Sequence, residues 1–319
     1  MKDLNKKSGN AVTEQHPVKT HSRLKLIQKN KYLYALMVFP VLYFVIFHYA
    51  PMYGVLVAFK DYNIVKGIMG SPWVGLKWFK KFLADPYFWK VVRNTLLLSI
   101  YNILWGFPVP IILAVMLNEL KAGKFKKTVQ SITYLPHFIS TVVLCGMIVN
   151  ILSSDGLMNQ IIKALGGTPK QFLMYPQYFR TIYIVSGIWQ KAGWTSIIYL
   201  AALTGIDSEI LDAATIDGAN RVQRILHVTI PAITPTIATL LIMDLGKMMN
   251  LGYEKVLLLY NGSTYETADI IATYVYRRGI LQNSFSYATA VGLFQTVIGV
   301  ILIVSANKIS KKLSDISLW

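Results

Sequence analysis

The amino-acid sequence predicts an all-α integral membrane protein that crosses the bilayer six times and keeps both termini in the cytoplasm. Three observations carry this expectation. Of the 319 residues, 54% are hydrophobic and only 15% charged, with a mean hydropathy of +0.45, too apolar for a water-soluble chain of this length. Six stretches approach the ~20 apolar residues that cross ~30 Å of hydrocarbon at ~1.5 Å per residue. Lys and Arg are divided among tails and loops with an excess on the side that holds the N-terminus.

The six expected spans run from about Tyr32 to Tyr49, Thr95 to Leu117, Val129 to Leu152, Thr181 to Leu203, Ile233 to Asn250 and Thr289 to Ala306. A basic tail over 1–31 carries Lys2, Lys6, Lys7, Lys19, Arg23, Lys25, Lys29 and Lys31, and the loop after the second span carries Lys121, Lys124, Lys126 and Lys127. These place the N-terminus inside. Roughly thirty polar residues precede a first apolar segment long enough to span, so that segment is expected to stay as an anchor rather than be cleaved. Residues 32–90 hold the first span and an outer loop whose lysines run against the charge rule. In that loop Trp78, Phe79 and Phe82 interleave with Lys77, Lys80 and Lys81 and are closed by Asp85 and Pro86, which suggests a short amphipathic helix on the membrane surface. A second cytoplasmic tail occupies 307–319. The dispersed basic residues, for a formal charge of +17, suit anionic lipid headgroups better than nucleic acid. The single cysteine, Cys145, excludes a disulfide within the chain and a cysteine-based zinc site.

The connection over 205–232, between the fourth and fifth spans, has the densest local signals. Asp207 or Ser208 suits a helix N-cap, Glu209 complements the positive end of the dipole, and Gly218 suits the left-handed residue that stops a helix. Glu209, Asp212 and Ile216 then share a face beside the small Ala213 and Ala214. A helix of about ten residues is marginal alone in water and needs a surface to hold it. A second short helix, from about Arg221 to Thr229, would lead to Pro231 and Pro235 at the start of the fifth span, forming an elbow. By residue types alone this remains an ordinary inter-span loop.

The same residues resemble a family signature. Asp212-Ala213-Ala214, Gly218, Val228, Ile230 and Pro231 stand at the spacings of the cytoplasmic Glu-Ala-Ala motif of permease subunits of type I ATP-binding-cassette importers. The resemblance covers roughly residues 91–306 and departs from the motif in Asp at 212 and in Val228 and Ile230. Glu209 ahead and Asp217-Gly218-Ala219 behind look like the oligosaccharide-importing branch. Phe59-Lys60-Asp61-Tyr62-Asn63, Leu135-Pro136-His137-Phe138-Ile139-Ser140 and Ser317-Leu318-Trp319 look like its polysaccharide-derived sugar subgroup. The resemblance implies a type I importer transmembrane fold in a bacterial cell membrane. It implies that Glu209, Asp212, Ala213, Ala214, Asp217, Gly218, Ala219 and Pro231 form the contact with an ATPase. The implied partners are a second homologous permease, two cytoplasmic ATPases that hold ATP and Mg, an extracytoplasmic solute-binding protein and an oligosaccharide.

Polar residues inside spans are expensive and face a cavity or a partner. Trp189, Lys191, Trp194, Asp244, Lys247, Asn250 and Tyr253 have the types and depths of a sugar path, and their cations would favour an acidic oligosaccharide. Asp244 and Lys247, three apart on one helix face, suit an ion pair with each other equally well, and the aromatic residues suit interface anchors. His137 and His48 read as packing residues. The chain carries neither GxxxxGK[ST] nor HExxH nor GxSxG, so no cofactor and no catalytic activity of its own are expected. An ion-coupled secondary transporter using Asp244 and His137 is the alternative. An enzyme acting on lipid-linked sugars is a third possibility, for which no convergent acid and base groups are found.

Overall fold

The computed structural model describes residues 30–314, so most of the basic tail and Ser317-Leu318-Trp319 lie outside the described residues. The chain divides into two units, Met1–Gly54 and Val55–Trp319. Among the described residues the structure is helical, with one isolated two-residue bridge (Lys60 to Trp73) and no strand.

The first unit contributes the start of α1 (Lys31–Phe59), a 29-residue apolar helix. It is α-helical over Lys31–Phe44, holds Pro40 internally and passes through a wider turn at Val45–Tyr49. A proline removes one backbone donor, and a local change of helical pitch takes up the resulting distortion.

In the second unit, α2 (Lys77–Leu83) is the short basic helix expected in the first outer loop. Part of its apolar face packs inward, while Leu83 stays 54% exposed. Phe82, 1% exposed, packs edge-on against Phe88, Tyr287 and Phe294, and Trp78 donates its indole N–H to the Lys60 carbonyl at 3.0 Å. The long helix α3 (Phe88–Glu119, 32 residues) is interrupted before Pro108.

The third expected span is the clearest correction. Val129 to Tyr134 belongs to a separate basic helix, α4 (Lys124–Tyr134), and Pro136 sits in a tight turn, Leu135–Phe138. The span itself, α5 (Thr141–Ala164, 24 residues), starts at a cap where the Ser140 hydroxyl accepts from the Val143 N–H at 3.3 Å. Leu135 stays in the α region, the chain tightens through Pro136, and the break falls at Ile139 and Ser140, which are extended (ψ 125° and 153°), even though apolar residues continue on both sides.

The remaining elements are α6 (Pro176–Thr204, 29 residues), α7 (Ser208–Ile216), α8 (Arg221–Ala232), α9 (Thr234–Gly246), α10 (Tyr253–Leu259), α11 (Ile271–Tyr276) and α12 (Phe285–Ser314). Among the described residues four helices, α1, α3, α5 and α12, are long and apolar enough to cross a membrane, and α8 with α9 forms a fifth candidate bent by 62°. Gln190 and Lys191 keep the equally long α6 outside that set. The fifth expected span is shorter than its apolar run, because α9 ends at Gly246 and 247–252 is a turn. Side chains from neighbouring helices satisfy its exposed carbonyls: Ser99 of α3 donates to Met248, and Gln295 of α12 donates to Met249.

Three apolar clusters hold the second unit together. One joins Leu98, Leu144, Tyr183 and Val256, a second joins Phe82, Val91, Tyr274 and Tyr287, and a third joins Ala114, Tyr199, Leu203 and Ile233. In lipid the drive is close packing rather than escape from water, so small residues matter. A Cβ on Gly246 would stand 2.6 Å from an Ile303 methyl, so the glycine lets α9 and α12 pack closely at this point.

Candidate functional site: an exposed elbow and a charged cavity

The elbow is built by local chemistry. The Asp207 carboxylate accepts from the Glu209 N–H at 2.9 Å and starts α7. At its end Gly218 adopts φ +82°, its N–H reaches the Thr215 carbonyl at 3.1 Å, and the Ala219 N–H reaches Ala214 at 3.0 Å. This pair of bonds is the Schellman stop that a left-handed glycine permits. Asn220 and Gln223 then cap α8 reciprocally, at 2.9 and 2.8 Å. No residue of α7 is buried, and Ile216 is 85% exposed. The expected contact residues Glu209, Asp212, Ala213, Asp217 and Gly218 are all exposed, with Ala214 and Ala219 half-buried beneath them.

The elbow is tied to the core at two points. Arg221 pairs with Glu119 at the end of α3, and its Nη2 also donates to the Glu119 carbonyl at 3.0 Å. Pro231 lies in the last turn of α8, and the next bend residue, Ile233, is buried against Ala114, Tyr199 and Leu203. Through these contacts the elbow is joined to α3, α6 and α9. Glu119 was not among the residues singled out from sequence, since its partner lies 102 positions away.

The second candidate site is a cavity of about 390 Å³ along α6, closed by α3 and by the turn after α9. Its lining reaches from Tyr183 to Tyr199, about 24 Å along the helix axis at ~1.5 Å per residue. Lys191, Asp244, Lys247 and Asn250, singled out from sequence, all line it. Trp189, Trp194 and Tyr253 do not: the ring of His137 lies flat on Trp194 at 4.4 Å, and Tyr253 stacks on Tyr276 at 6.0 Å. Asp244 and Lys247 share the cavity without forming the ion pair that their spacing allowed. Two further charged residues line it, Glu254 and Lys255, neither of them singled out from sequence. The apolar run Val256 to Leu259 that follows Lys255 was the available signal of burial.

Beyond the cavity, two polar clusters fix the segment between α10 and α12. Asp269, 0% exposed, takes two bonds from the Arg277 guanidinium, at 2.5 and 3.2 Å, and one from Thr273 at 2.8 Å. Asp85 accepts from the hydroxyls of Tyr274 and Tyr287 at 2.7 and 2.9 Å, with Arg278 3.8 Å away. Burial alone would raise the Asp85 carboxyl, but the Tyr274 hydroxyl, the Tyr87 N–H, the Tyr287 hydroxyl and the Arg278 charge hold it below the ordinary carboxylate value. Among the described residues no group of three metal-ligating side chains is found.

This arrangement has known counterparts. The sequence profile of the binding-protein-dependent transport system inner membrane component family matches residues 82–315. The chain is 45% identical over 293 residues to the polygalacturonan/rhamnogalacturonan transport system permease protein YteP of Bacillus subtilis, covering 92% of this chain and 91% of that one. It is 44% identical over 299 residues to protein LplB of the same organism, covering 93% and 94%. Among solved structures, a bacterial ABC transporter involved in the import of the acidic polysaccharide alginate superposes with a TM-score of 0.85 at 41% identity, over 92% of this chain and 100% of that one. With a family profile over most of its length and close relatives over nine-tenths of it, the chain belongs to the binding-protein-dependent transport system inner membrane components.

Proposed function

We propose that this chain is the permease subunit of an ATP-binding-cassette importer of oligosaccharides, with six spans, both termini cytoplasmic, and half of the translocation pathway. It pairs with a second homologous permease, docks two cytoplasmic ATPases that hold ATP and Mg, and receives its sugar from an extracytoplasmic binding protein. The relative that transports polygalacturonan and rhamnogalacturonan, and the alginate importer with its pentasaccharide-bound periplasmic protein, support an acidic sugar as substrate. Along the cavity Lys191, Lys247 and Lys255 outnumber Asp244 and Glu254, which agrees with that charge.

The observation that carries the coupling role is α7. It is a fully capped helix with no buried residue, shorter than helices that persist alone in water, and it leads directly into α8, which with α9 forms a candidate span bent by 62°. Such an element needs a docking partner and is placed to pass that partner's movement inward. Glu209, Asp212, Ala213, Ala214, Asp217 and Gly218 form the docking face. ATP-driven closure of the ATPases then shifts the population between outward-open and inward-open arrangements.

Affinity purification of the full chain in detergent tests this. An ATPase subunit is expected to accompany the wild type and to be lost from an Ala213→Glu variant that still accumulates in membranes. Equal recovery of the ATPase with both chains would overturn the coupling role of α7.

A further inference from the structure

The charges around the α6 cavity are unequal in burial. Lys191 and Lys247 are exposed, whereas Lys255 is 8% exposed and sits at the end of the cavity next to Tyr183. Its ammonium donates to the Tyr183 carbonyl at 2.8 Å and lies 4.6 Å from the centre of the Tyr183 ring. No carboxylate forms an ion pair with it, although Glu254 is its chain neighbour. An ammonium carries three donors, and a carbonyl with a ring face satisfies only part of that capacity. A buried cation left without an anion is costly, and inside membrane proteins such residues mark substrate paths.

The surroundings hold the ammonium in place. A Cβ on Gly187 would stand 3.3 Å from Nζ, so the glycine provides the room the group occupies. Val256 and Leu259, on the same short helix as Lys255, are fully packed in the core, which fixes its direction of approach. At the far end of the cavity Tyr199, 1% exposed, has a hydroxyl with no hydrogen-bond partner. A cavity with a buried, under-satisfied cation at one end and an unpartnered hydroxyl at the other is matched by a ligand that bears both anionic and hydroxyl groups.

We propose that Lys255 is a specificity-determining residue of the translocation path, its ammonium receiving a carboxylate of a uronate-bearing oligosaccharide as the sugar passes α6. This rests on the importer function proposed above. A sugar hydroxyl would accept one hydrogen bond and leave the charge uncompensated. A carboxylate supplies the acceptor and the counter-charge together, and such charge-assisted bonds are roughly twice as strong as neutral ones.

The test is binding of trigalacturonate and of its fully methyl-esterified form to the full chain in lipid nanodiscs, followed by tryptophan fluorescence. The wild type is expected to prefer the acid by roughly ten-fold or more, the difference a charge-assisted bond provides. Lys255→Gln is expected to erase that preference, and Lys255→Arg to retain it. No preference in the wild type, or the same preference in Lys255→Gln, overturns the assignment. Should Lys255→Gln fail to accumulate, Gly187→Ala displaces Nζ while keeping its charge. A reduced acid preference in that variant supports the seat, and an unchanged one overturns it. Recovery of the ATPase and ATP-dependent uptake are read separately, so their loss with the acid preference intact counts against the importer reading alone.

Discussion

A Cβ on Gly193 would stand 1.9 Å from the carbonyl oxygen of Thr133, so α6 and α4 meet backbone to backbone at this point. A contact of that kind cannot be relieved by turning a side chain. Gly193→Ala is expected to be destabilising by the upper end of the ~1–3 kcal/mol that overpacking costs, which lowers Tm in detergent by about 5–10 °C. Gly146→Ala, whose Cβ would meet nothing within 4 Å, is the control and should leave Tm unchanged or slightly raised. Equal behaviour of the two variants would show that α4 is not held against α6 as described.

The buried pair Asp269–Arg277 carries a second prediction. Removing the guanidinium strands a carboxylate that is fully out of solvent, whereas removing both charges strands neither. Arg277→Met should therefore cost about 3–5 kcal/mol, and Arg277→Met combined with Asp269→Asn distinctly less. Arg277→Lys should recover only part of the loss, because a single ammonium cannot reproduce two parallel bonds. Thermal unfolding in detergent of the wild type, Arg277→Met, Asp269→Asn and the double variant measures the non-additivity. A double variant as unstable as the sum of the two singles would contradict the pairing.

Asp85 adds a pH dependence. Its carboxyl is held below the ordinary value of 3.8, so the folded state binds this proton less readily than the unfolded chain does. Stability from the ionised form is fully present above the unfolded value and is lost as pH falls from about 4 towards the folded value. Asp85→Asn is accordingly expected to be destabilising by about 2 kcal/mol at pH 7, where it removes the charged acceptor of two tyrosine hydroxyls. The gap between the variant and the wild type should narrow below pH 4. A gap that is constant from pH 7 to pH 3 would mean that the carboxylate charge contributes nothing at this site.

Features whose cause lies within a few residues were legible in the sequence. Asp207, Gly218 and Pro235 act through bonds or clashes to their own neighbours, and each stands where its residue type predicted. The third span was misplaced because apolar residues run on both sides of Pro136, and hydropathy does not register that the α4 segment is a separate basic helix with exposed Phe125 and Ile132. Lys255 was illegible for another reason. Its ammonium bonds to the Tyr183 carbonyl, 72 positions away, and no local pattern around residue 255 announces that partner. The cavity-lining lysine and aspartate positions in α6 and α9 could be read as exceptional from their place in apolar runs, but not which of them share a cavity.

Gly218 separates the helix stop from the docking face. At φ +82° a residue with a Cβ is strained by roughly 1–2 kcal/mol, although a Cβ there would meet nothing within 4 Å. Asparagine tolerates this conformation far better than alanine does. If the glycine matters through the stop it makes for α7, Gly218→Ala should reduce ATP-dependent uptake several-fold and Gly218→Asn should largely restore it. If it matters because a partner packs against a bare backbone, both side chains should be harmful, with the larger asparagine worse. Since the position is open in this chain, the order of the two variants reports directly on whether a second protein covers it.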